Sequence, residues 1–160
     1  MIIIVTGSVG TGKTTIAVAL SKRLRYSYAN LNELIKKNKL QGRYIKKLDT
    51  YGVDVKKLNK FLVKLILSSK GNLLIDSHLS HYLPKKYVDY CIVCKCELKT
   101  LAERLKTRDY SKVKIRENLD SEIFDVCLIE ALENKHKVIV VDTGENNVKQ
   151  CVDLIFKKVR

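Results

Sequence analysis

Gly7-Ser8-Val9-Gly10-Thr11-Gly12-Lys13-Thr14 has the form GxxxxGK[ST] and follows directly on the apolar run Ile2-Ile3-Ile4-Val5-Thr6. Strand, glycine-rich turn, Lys-Thr and helix in that order read as a phosphate-binding loop. The glycines let the backbone turn tightly and present successive N–H groups, which converge with a helix N-terminus on an anion. Lys13 adds a point charge for β- and γ-phosphates, and the Thr14 hydroxyl suits a Mg²⁺ shell. Thr14 to Leu24 then continues as an apolar helix. Gly10, Thr11, Gly12, Lys13, Thr14 and Thr15 are therefore the cofactor-binding candidates, with ATP and Mg²⁺ as the implied cofactors.

Working outward, apolar runs predict further strands over Asn72–Asp76, Val88–Cys94 and Lys137–Asp142, and the alternating order of elements adds one near Ser27–Ala29. Helical spacing predicts helices over Lys13–Leu24, Leu31–Asn38, Val55–Ser69, Glu97–Thr107, Lys114–Asn134 and Asn146–Lys158. Strands alternating with helices give an α/β fold of the P-loop NTPase class: a five-stranded parallel sheet with helices on both faces. Leu40–Asp54 and Arg108–Lys112 fit neither pattern, and loops beside a phosphate site are where substrates enter and lids close.

The chain of 160 residues has no linker-like stretch and no repeat, so residues 1–160 are expected to form a single domain. No apolar run is long enough to cross a bilayer, and the phosphate loop leaves no room for a leader after Met1. A cytoplasmic protein without membrane contact is expected. Lys and Arg number 31 against 17 Asp and Glu, a net charge of +14. Heat-adapted surfaces balance Lys with Glu, whereas this excess is one-sided, so a polyanion such as RNA is a candidate partner. The Cys91-x-x-Cys94-x-Cys96 spacing resembles a zinc site, but strand alternation sends Cys91 and Cys94 to opposite faces, which reads as core thiols.

Two further constellations could act on phosphate. Leu73-Leu74-Ile75-Asp76 is an apolar strand ending in a carboxylate, placing Asp76 with Thr14 as the metal candidates. His78, two residues on, would point to the same side and could orient water or a γ-phosphate. Arg104 and Arg108 are four apart on a helix and can face one site, where guanidinium groups would stabilise charge on a transferred phosphoryl group. Arg116 is a weaker candidate of the same kind. Lys13, Asp76, His78, Arg104 and Arg108 are thus the catalytic candidates.

These pieces carry a family resemblance. Val5-Thr6-Gly7 with its loop, Asp49-Thr50, Val53-Asp54, Ile75-Asp76-Ser77-His78, Leu101-Ala102-Glu103-Arg104-Leu105 with Thr107-Arg108 and Tyr110, and Glu117-Asn118 with Ser121-Glu122-Ile123-Phe124 span almost the whole chain. In them the chain resembles the adenylate kinase isoenzyme 6 family, nucleoside monophosphate kinase-like ATPases linked to small-subunit ribosome maturation. The resemblance implies a monophosphate-binding region over 30–54, with Asn30, Asp49 and Asp54 as substrate-binding candidates, and a short lid over 107–116. It implies that Asp76-x-His78 serves ATP hydrolysis and that Arg108 contacts ATP. It also implies broad monophosphate kinase activity on AMP, a concurrent ATPase, and a small-subunit platform ribosomal protein, universal number eleven, as partner during late rRNA processing. The chain departs from the family pattern at Val9, at Asp109, and in the basic segment containing Arg43, Lys46 and Lys47. Two functions follow as expectations: transfer of the ATP γ-phosphoryl group to a monophosphate, or an assembly ATPase with little kinase turnover whose nucleotide state controls its release from a ribosomal protein or rRNA.

Overall fold

The computed structural model describes residues 1–159. Its sheet is made of five short strands, β1 (Ile2–Thr6), β2 (Ser27–Asn30), β5 (Leu73–Asp76), β6 (Tyr90–Lys95) and β7 (Val138–Asp142), in the order β2-β5-β1-β6-β7 and all parallel; all but the edge strand β2 are strongly apolar. Parallel strands must be covered on both faces. On one face Ile3, Val5, Ile92, Cys94, Ile139 and Val141 pack under α1 (Lys13–Leu24) and α7 (Val148–Val159). On the other, Ile4, Ile75, Cys91 and Val93 pack under α2 (Leu31–Lys37), α3 (Val55–Ser68) and α6 (Val126–Glu133). Cys91 and Cys94 fall on opposite faces as their spacing requires, and all five thiols are free and buried.

A third, smaller cluster joins Leu101 and Leu105 of α4 (Leu98–Lys106) to Val9 of the phosphate loop and to Tyr110, Ile115 and Leu119 of the segment carrying α5 (Lys112–Ile123). It seats the segment from Tyr110 to Leu119 on the loop. β1 is central, with β5 on one side and β6 on the other, so the chain leaves the sheet in opposite directions around the phosphate loop. Ligands of open α/β sheets bind at that switch point, beyond the carboxyl ends of the strands.

Two sequence expectations need correction. The predicted helix Lys114–Asn134 is two helices, α5 and α6, broken at Phe124–Asp125. Asp125 takes a left-handed φ of 51°, which interrupts the helix, and its carboxylate pairs with Lys95. The stretch Leu40–Asp54, read as irregular, contains an antiparallel hairpin of β3 (Gln41–Ile45) and β4 (Thr50–Val53) separate from the main sheet. Its β3 residues are all exposed, so no buried face imposes the alternation by which strands are recognised. Among the described residues no helix is long and apolar enough to cross a membrane.

Candidate active site

The phosphate loop is held by its own carbonyls. Ser8 O accepts hydrogen bonds from Lys13 Nζ and Thr11 Oγ1, both at 2.8 Å. Gly10 and Gly12 take positive φ values of 90° and 81°, and Gly12 caps the N-terminus of α1, whose first residues Lys13 and Thr14 border the cleft. Burial lowers the pKa of Lys13 below the usual lysine value, an effect that the Asp76 charge opposes.

Asp76 ends β5 one strand away. Its Oδ2 accepts from Thr14 Oγ1 at 2.6 Å and from Tyr28 OH at 3.1 Å, while its buried Oδ1 has no partner. A buried, unpaired carboxylate oxygen beside a threonine hydroxyl fits a hard, oxygen-seeking cation such as Mg²⁺ or its water shell. Tyr28 is raised to about 12 by burial and then by the Asp76 charge, so it stays a donor to that carboxylate. His78 borders the same cleft, and burial followed by the charge of Lys13 depresses it to about 4. It is therefore a neutral imidazole near pH 7.

The cleft encloses about 820 Å³ and runs from Gly10, Gly12, Lys13, Thr14 and Thr15 past Asp76 and His78 to the β3–β4 hairpin. Opposite, Arg108 donates to Tyr110 OH at 3.2 Å. Lys114 of α5 lies 4.2 Å from the Tyr110 ring centroid and donates to Asp49 O at 3.0 Å. One lysine thus ties the start of α5 to the hairpin beside the cleft.

The remaining sequence candidates do not converge on this cleft. Arg104 donates to Thr143 Oγ1 at 3.0 Å and Thr143 O at 2.8 Å, and Thr143 Oγ1 in turn donates to Thr11 O at 2.7 Å. Arg104 and Arg108, four apart on one helix face by count, therefore part company at the end of α4: Arg104 steadies the phosphate loop from behind. Thr11 is buried within the loop. Asn30 and Asp54 serve as N-caps of α2 and α3, accepting from Glu33 N and Lys57 N. Arg116 pairs with Asp120 on the surface at 3.0 Å. Of the three substrate-binding candidates only Asp49 borders the cleft.

Other residues, not singled out as site candidates from sequence, complete the site. Buried Glu122 accepts from Ser8 Oγ at 2.8 Å and from Cys96 N at 3.0 Å, fixing the loop from the side of α5. Buried His81 bridges Thr6 Oγ1 and Glu130 Oε2 at 2.7 and 2.8 Å beneath it. A carboxylate in the last turn of a polar helix carries no local signal of this role; the packing of α5 brings Glu122 to Ser8 from 114 residues away in sequence.

Comparison with known proteins places the chain in a family. The AAA domain family matches residues 3–125. A putative adenylate kinase of Methanocaldococcus jannaschii is 38% identical over 160 residues, covering 100% of this chain and 86% of that protein. An adenylate kinase isoenzyme 6 homolog of Caenorhabditis elegans is 31% identical over 148 residues, covering 92% and 81%. Among solved structures, deoxyadenosine kinase from M. mycoides with bound dATP superposes with a TM-score of 0.63 at 20% identity, covering 99% of this chain and 98% of that one, which speaks to the fold alone.

Proposed function

The chain belongs to the adenylate kinase isoenzyme 6 family, within the AAA domain proteins, and from that premise we propose that it transfers the γ-phosphoryl group of ATP to AMP or another nucleoside monophosphate. The observation that carries this reading is a single cleft with the phosphate loop at one end, the hairpin at the other, and the free oxygen of Asp76 between them. A volume of about 820 Å³ is at the upper end of the roughly 300–1,000 Å³ usual for small-molecule sites, as two nucleotides require. Lys13 and the loop amides would cradle the donor phosphates, and Arg108 would meet the charge spread over the transferred group. Thr14 and Asp76 would hold Mg²⁺, whose chemistry is to neutralise charge on the phosphates. Lys114, reaching Asp49, would keep water out while the acceptor attacks.

Hydrolysis of ATP without an acceptor, a cytoplasmic location and a part in small-subunit ribosome maturation come with the same family reading, which names the platform ribosomal protein and rRNA as partners. Neutral His78 beside Asp76 supports hydrolysis, because an uncharged imidazole can accept a hydrogen bond from water. The test is ADP production from Mg-ATP with and without AMP, and with and without that ribosomal protein. AMP-dependent ADP formation that Lys13→Ala abolishes is expected. AMP-independent turnover raised by the ribosomal protein would replace transfer by hydrolysis as the function, and full activity of Lys13→Ala would overturn both.

A further inference from the structure

Residues 36–47 hold six basic side chains, Lys36, Lys37, Lys39, Arg43, Lys46 and Lys47, and no acidic one. The last three lie on the β3–β4 hairpin, are exposed, and have no carboxylate partner among the described residues. The same hairpin carries two large aromatic rings. Tyr44 and Tyr51 are directly opposite in register, their centroids are 5.2 Å apart at 58°, and they remain 47% and 50% exposed, Tyr51 also bordering the nucleotide cleft. A cross-strand aromatic pair steadies a hairpin. Covering no core, however, it leaves half of each ring to solvent, at the centre of a one-sided positive field. Asp49, the acidic residue of the hairpin, is engaged by Tyr44 OH and so holds that ring in place.

Exposed rings interleaved with unpaired cations are what single-stranded nucleic acid requires: bases stack on the rings while the cations follow the backbone. A duplex, with its bases already stacked, would leave the rings unused. We propose that the β3–β4 hairpin is a contact surface for single-stranded RNA, with Tyr44 and Tyr51 stacking on bases and Arg43, Lys46 and Lys47 neutralising phosphates. The inference gives the rRNA partner of the functional reading a location, yet it does not depend on phosphoryl transfer, since binding here needs no nucleotide turnover.

The test is fluorescence anisotropy of a labelled oligouridine of about 20 nucleotides with the full chain, between about 50 and 200 mM salt. Replacing Arg43, Lys46 and Lys47 together by Ala should reduce the slope of log affinity against log salt by about 2, at roughly 0.7 per cation on a single strand. Tyr44→Leu with Tyr51→Leu should weaken binding by about tenfold or more while leaving the slope unchanged, and Tyr44→Phe with Tyr51→Phe should restore it. Removing three charges elsewhere, at Lys85, Lys86 and Lys157, is the control and should change affinity less than about twofold. No binding by the unaltered chain, equal weakening by the control, indifference to the Leu pair, or a duplex bound as tightly would each overturn the proposal. So would equal binding of oligoglutamate, which would make the hairpin a site for acidic protein segments. Failure of AMP-dependent turnover would leave these results untouched.

Discussion

Replacing Glu122 by Ala tests whether the phosphate loop is held from α5. The carboxylate is buried and accepts from Cys96 N at 3.0 Å and Ser8 Oγ at 2.8 Å. In the Ala variant the Cys96 N–H is left without a partner in a buried position, which costs about 1–3 kcal/mol. Ser8 Oγ retains Ser121 Oγ at 3.3 Å and so loses about 1 kcal/mol or less. Lys95 keeps Asp125 and contributes little. The sum is about 3 kcal/mol, a fall in Tm of about 6–12 °C for a chain of this size. Glu122→Gln keeps an acceptor for Cys96 N and can donate to Ser8 Oγ, so about 1 kcal/mol is expected. Urea unfolding followed by circular dichroism measures both, and a displaced loop should also raise KM for ATP in the Ala variant. A loss below about 1 kcal/mol for Ala, or equal losses for Ala and Gln, would refute the bonding scheme.

Tyr28→Phe removes one of the two donors to Asp76 Oδ2 and should raise the Mg²⁺ concentration for half-maximal activity by up to about tenfold; an unchanged Mg²⁺ titration would count against the metal assignment. Gly7→Ala places a methyl group against the Cys94 carbonyl at a φ of 142°, and should lower stability by about 2 kcal/mol or more, read by the urea midpoint; a neutral result would contradict the close approach. His78 is depressed to about 4 in the fold, so between pH 6.5 and 4 the unfolded chain binds the extra proton and stability falls as pH falls. His78→Asn should flatten that acid-side decline, and a slope identical to the unaltered chain would show that His78 is not the group responsible.

The repeating pattern of apolar strands and amphipathic helices, with GxxxxGK[ST] between the first pair, by itself determined the parallel sheet, the layers on its faces, the opposed placement of Cys91 and Cys94, and Lys13, Thr14 and Asp76 at the carboxyl ends of β1 and β5. Such signals are local: burial on one face writes its period into the residues that are buried. The β3–β4 hairpin escaped because its exposed residues obey no such period. Arg104 and Arg108 separated because a spacing of four fixes a shared helix face only while the helix lasts, and α4 ends at Lys106. Asn30 and Asp54 became caps because a carboxylate or amide just before a helix satisfies its free amides first. Glu122, Tyr28, Thr143 and Lys114 entered the site through contacts spanning 48 to 132 residues. Tertiary structure alone decides such pairings, since a hydrogen bond between distant segments depends on the packing of whole elements and leaves no periodic trace in either one.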